Sequence, residues 1–101
     1  MRRGTTPTIF VGNLPLPLEQ IDKLCLIFRP YKKDKIILQK NLEDCFLYNG
    51  KLGFTLTQEE TLLFPTGLIE RSIIIKSKAG ARLESVPDYF KVEDTALGTV
   101  I

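Results

Sequence analysis

Tyr48-Asn49-Gly50-Lys51 decides the fold class. Asn-Gly is the dipeptide best suited to two successive left-handed backbone positions, which a two-residue type I′ hairpin turn requires. Counting outward pairs Leu47 with Leu52 and Cys45 with Phe54 on one face. Phe46 then opposes Gly53, and Asp44 opposes Thr55, on the other. Apolar side chains match across the pair, so the register predicts antiparallel strands over Asp44–Tyr48 and Lys51–Leu56.

The same alternation extends in both directions. Thr6–Val11 alternates, with Ile9 and Val11 on one side and Thr8 and Phe10 on the other, and Pro7 suits an edge strand. Leu14-Pro15-Leu16-Pro17 is an extended connection. Asp22–Arg29 predicts a second strand that is apolar on both faces, hence central and covered on both sides, or partly covered by a neighbouring subunit. A turn over Pro30–Asp34 leads to a short third strand, Lys35–Gln39.

Beyond the hairpin, Thr57 and Glu60 have the spacing of a capping box, which predicts one helical turn at about 57–63 with Leu62, Leu63 and Phe64 driven into the core. Leu68–Ser77 is the longest strand, with Ile73-Ile74-Ile75 at its centre implying dry surroundings on both faces. Gly80 turns the chain into Arg82–Ser85, and Pro87 bends the return before Tyr89–Glu93 continues it, either after the kink or on the opposite sheet. Gly98 and Val100-Ile101 close the chain. About seven short strands at regular spacing predict an all-β, immunoglobulin-like antiparallel two-sheet sandwich, with a small barrel as the competing architecture. Residues 1–5 read as a flexible N-terminus and 6–101 as a single β-sandwich domain.

A chain of 101 residues is long enough to bury roughly 65% of its unfolded surface without a metal or disulfide. It contains no histidine, which removes the commonest general base, the Ser-His-Asp systems and most zinc sites. No P-loop, dinucleotide or metalloprotease motif occurs. We therefore expect no enzymatic activity, no catalytic, metal or cofactor-binding residues, and no cofactor. Cys25 and Cys45 read as small core hydrophobes, with a disulfide or a reactive thiol as the alternatives. Glu59 and Glu60, being adjacent, point apart and make a poor catalytic pair. No apolar run reaches 18 residues and no signal peptide is visible, so neither a membrane span nor secretion is expected.

The net charge of +2 is weak for a nucleic-acid domain. Lys32-Lys33-Asp34-Lys35 reads as a solvated loop, with phosphate binding as the alternative. Lys32, Lys33, Lys35, Lys76, Lys78 and Arg82 are the residues a nucleic-acid reading would use; no nucleic-acid partner is expected. Phe46 and Tyr48 are expected to pack within a sheet face, a platform for sugar or single-stranded nucleic acid being the alternative. Tyr31 and Tyr48 are the residues of a carbohydrate-binding reading.

Thr5-Thr6-Pro7-Thr8-Ile9, Leu56-Thr57-Gln58-Glu59-Glu60-Thr61-Leu62-Leu63-Phe64 and Gly98-Thr99-Val100-Ile101 together resemble small phage- and prophage-encoded all-β proteins of Firmicutes. The strand order is similar to the immunoglobulin-like N-terminal domain of phage baseplate upper proteins. Arg71 and the basic Arg2-Arg3 start depart from that pattern. The resemblance implies a non-enzymatic virion structural protein of the tail or baseplate type, with no catalytic residues to carry over. It would act through protein–protein contacts, by self-association (a homo-oligomer) or with other particle proteins. Its place would be the bacterial cytoplasm or the virion. A carbohydrate-binding sandwich is the alternative function.

Overall fold

The computed structural model describes residues 1–12 and 14–94. It contains eight strands among those residues. These are β1 (Thr8–Val11), β2 (Ile21–Pro30), β3 (Leu38–Asn41), β4 (Phe46–Tyr48), β5 (Lys51–Thr55), β6 (Gly67–Ser77), β7 (Arg82–Glu84) and β8 (Asp88–Val92). They form two antiparallel sheets, one of three strands in the order β1-β5-β4 and one of five in the order β3-β2-β6-β7, with β8 also on β6. This is the all-β antiparallel two-sheet sandwich that the alternation predicts. It has one strand more than expected because Pro87 divides the return segment: β7 pairs with Ile74–Lys76 and β8 with Gly67–Arg71, along one border of β6. Both pieces therefore stay on the same sheet.

The hairpin register is the predicted one at Phe46↔Gly53, Leu47↔Leu52 and Tyr48↔Lys51. Asn49 and Gly50 have φ of 48° and 74°, as a type I′ turn demands. The ladder stops there, because Leu42–Asp44 forms a 3-10 turn closed by Asn41 and Asp44. The expected pairs of Cys45 with Phe54 and Asp44 with Thr55 are thus not made. The third strand also begins later than expected, at Leu38: the backbone turns through Tyr31-Lys32, and the ladder to β2 starts at Phe28↔Leu38.

The core lies between the sheets. Leu24, Leu26 and Phe28 of β2 and Ile69, Ile73 and Ile75 of β6 meet Val11, Leu52 and Phe54 from the smaller sheet. Cys25, Ile27 and Ile74, on the other face, are half-buried rather than dry. The covering expected on both faces at Leu24–Phe28 and Ile73–Ile75 is therefore complete on the core side only.

The capping box forms as read. Around α1 (Gln58–Leu62), the Glu60 amide donates to the Thr57 hydroxyl at 3.1 Å and the Thr57 amide to the Glu60 carboxylate at 2.9 Å. Of the three residues expected in the core, only Phe64 is fully buried, in an aromatic trio with Phe28 and Phe90. Leu63 is exposed and Leu62 half-buried. Thr61 takes the inner position: its hydroxyl donates to the Thr5 carbonyl and accepts from the Gly4 amide, both at 2.9 Å.

Met1–Gly4, expected to be free, is hydrogen-bonded here. The Glu93 amide donates to the Met1 carbonyl at 2.8 Å and the Arg3 amide to the Glu93 carbonyl at 2.9 Å, making a parallel bridge alongside β8. Unpaired backbone of β8 and of the terminal segment satisfies each other, which offsets the cost of ordering the chain. The expected closing residues Gly98, Val100 and Ile101 lie outside the described residues.

Candidate functional site

β1, β5 and β4 alternate in phase, so one face of their sheet enters the core and the other carries Phe10, Gly53, Phe46 and Tyr48. Phe10 and Phe46 both register opposite Gly53, one from each side. Phe46 lies directly over that glycine: a Cβ there would fall 2.5 Å from its ring. Gly53 is buried by the ring rather than by the core, and the bare backbone is what lets the ring lie flat on the sheet. Phe10 meets Phe46 at 6.2 Å between ring centres, nearly perpendicular at 84°, and meets Tyr48 at 6.0 Å. Such edge-to-face pairs contribute beyond simple burial.

The cluster remains open to solvent: Phe10 and Phe46 are each 44% exposed, Tyr48 58% and Leu47, at the sheet border, 62%. Around it stand Thr8 and Thr55, whose hydroxyls bond one another at 3.3 Å, and Lys51, whose stem crosses Gly12. No other charged side chain belongs to the outer face of these three strands. The apolar face is thus contiguous, and contiguous exposed apolar surface marks an interaction site more than scattered residues do.

Tyr31 and Tyr48 are not brought together. Tyr48 joins the aromatic face, whereas Tyr31 stacks edge-on against Tyr89 at 5.3 Å at one end of the larger sheet. The basic residues are divided as well. Lys32, Lys33 and Lys35 follow the end of β2 that pairs with Ile69, and Lys78 and Arg82 lie by the end where Ile21 meets Ser77. Eight strand residues, about 27 Å at 3.4 Å each, separate the two groups. No single basic stripe results, and Arg82 is in any case paired with Glu84 at 3.1 Å.

A cleft of about 340 Å³ opens where β1 and β8 diverge, lined by Pro7, Ile9, Arg71, Asp88 and Phe90 among others. Its two charged groups neutralise one another, Arg71 to Asp88 at 2.6 Å; this is how an inward-phase arginine is accommodated where an apolar residue was expected. Glu59 is exposed and Glu60 is engaged by Lys40 at 2.6 Å. Partial burial opposes ionisation of Glu60, but the bonds from Lys40 and Thr57 outweigh it and hold its carboxyl below the ordinary value. Burial pushes the Cys45 thiol up, with Asp44 and Glu43 adding to the effect; it also donates to the Leu42 carbonyl. Both cysteines are free thiols, and Cys45 is a poor nucleophile for this reason. Among the described residues no three His, Cys, Asp or Glu side chains gather in a metal-ligating group, and no helix is long and apolar enough to cross a membrane.

Phe46 and Tyr48 were legible as partners on one face; Phe10 and the role of Gly53 were not, because they depend on which strand lies beyond β5. Compared with protein-family models, curated proteins and solved structures, the chain gives no significant match.

Proposed function

We propose that this chain is a non-enzymatic assembly module that works through protein–protein contacts, of the phage-particle tail or baseplate type that its sequence resembles. The observation that carries the reading is the contiguous Phe10–Phe46–Tyr48 face beside an open strand border. Interface cores are rich in aromatic residues and poor in charge, as this face is.

A carbohydrate-binding module would also use exposed rings, and the row Phe10, Phe46 and Tyr48 favours that second reading to this extent. Two features favour protein. Phe10 and Phe46 stand nearly perpendicular, so they offer no coplanar platform for a sugar ring. The face also lacks carboxylates and amides to bond sugar hydroxyls; its threonines bond each other.

Co-expression with the products of the flanking genes, followed by co-purification, tests the reading. The expected outcome is a stoichiometric protein complex that a Phe10→Ser, Tyr48→Ser double variant fails to form while keeping the thermal midpoint of the parent. A glycan array with strong, specific hits and no protein partner would replace assembly with carbohydrate binding.

A further inference from the structure

The sandwich guards nearly all of its strand borders. β3 presents Lys40 on the inward phase, opposite Leu26, where it reaches Glu60. β7 alternates Arg82 and Glu84, the C-terminal end of β8 is covered by Met1–Arg3 through Lys91 and the following Glu93, and β1 is entered through Pro7. Inward charges, exposed charges, covering segments and proline are the usual defences against edge-to-edge pairing. β4 has none of these, and only its three-residue length blunts it. It reads Phe46-Leu47-Tyr48, all three are exposed, and it ends its sheet.

Resting on the assembly reading above, we propose that β4 pairs with the β4 of a second copy of this chain, antiparallel about a two-fold axis at Leu47. Three observations select that occupant. Tyr48 and Lys51 flank a two-residue turn, so they form a hydrogen-bonded pair, and by alternation Phe46 and Gly53 form the next. Leu47 is then the strand residue whose N–H and C=O point outward. A two-fold at Leu47 converts those groups into two reciprocal hydrogen bonds, the self-complementary arrangement a symmetric dimer needs.

The same axis sets Phe46 of one copy against Tyr48 of the other, on one face, so the two aromatic clusters join into a continuous surface. Finally, Glu43 and Asp44 precede β4. Antiparallel apposition sets these acidic ends apart, whereas parallel apposition would set acid beside acid. The contact is small against the roughly 1,200 Å² of a standard stable interface, so the pairing is of the weak, concentration-dependent kind.

Sedimentation equilibrium over a concentration series reads this out. The average mass is expected to rise from 11.5 kDa towards twice that value. Leu47→Pro removes the outward N–H and leaves the ladder to β5 whole, so it is expected to stay at monomer mass with an unchanged thermal midpoint. Leu47→Lys, which adds a charge at the border, decides the matter if the proline variant misfolds. Leu63→Lys, at an exposed leucine elsewhere, is expected to associate like the parent. A parent protein monomeric up to about 1 mM, or Leu47 variants that associate as the parent does, would overturn the proposal. A monomer that still captures a flanking-gene product would overturn self-pairing and leave the assembly role standing; a dimer that captures none supports self-pairing and counts against particle partners.

Discussion

Gly53 and Phe46 act as one unit, and substitution reads them as one. A Cβ at position 53 meets three ring atoms of Phe46 within 3 Å, so Gly53→Ala is expected to cost about 1–3 kcal/mol through overpacking. In a Phe46→Ala background the obstruction is gone, and most of that cost should disappear; a coupling above about 0.5 kcal/mol in a denaturant-melt double-mutant cycle establishes the unit. Glu60 is the other residue with a measurable signature. Its carboxyl is held below the ordinary 4.5, so the charged form is favoured by folding. The resulting stability is fully present above that value and is lost as pH falls through the lower, folded-state pKa. The stability gap between the parent and Glu60→Gln should therefore be open at neutral pH and close on acidification below 4.5. Thr57→Ala, which removes the hydroxyl cap, should cost about 1 kcal/mol, and because that hydroxyl also helps to hold the Glu60 carboxyl down part of the cost should fade over the same acid range.

Elements declared themselves unevenly. The hairpin and α1 were legible because each carries a chemical device tied to one geometry: Asn-Gly for two left-handed residues, Thr-x-x-Glu for reciprocal capping. The strand at Lys35–Gln39 slipped because Ile36-Ile37-Leu38 has no alternation to fix its start, and the turn at Tyr31-Lys32 consumes more chain than Pro30–Asp34 suggested. Leu62-Leu63-Phe64 gave three apolar residues for one inward direction, and helix geometry admits only Phe64 there. Phe64→Ala should accordingly cost about 3–5 kcal/mol, while Leu63→Ala stays within about 0.5; urea melts of the two variants separate them. The candidate site was half legible. Its hairpin portion followed from counting, but the place of β1 beside β5 is a non-local choice that no local pattern encodes.

On the scale of the molecule, the two sheets meet across a single core, and the N-terminal residues help to hold them. Met1–Gly4 lines β8 and is also gripped by Thr61, so one segment ties the larger sheet to the helix that follows the smaller one. Deleting residues 1–4 removes those bonds and is expected to cost at least about 1 kcal/mol, a fall in thermal midpoint of about 4–8 °C for a domain of this size. Charge on this scale is dispersed, with the two lysine groups at opposite ends of β2 and β6. A bare interior-facing cation on a border strand would ordinarily be a defect, yet Lys40 finds the very carboxylate that terminates α1's first turn. Hydronium concentration therefore addresses the helical start and the rim of the larger sheet through one carboxyl group, its two oxygens shared between them, so that acid below pH 4.5 should loosen both in concert instead of fraying either alone.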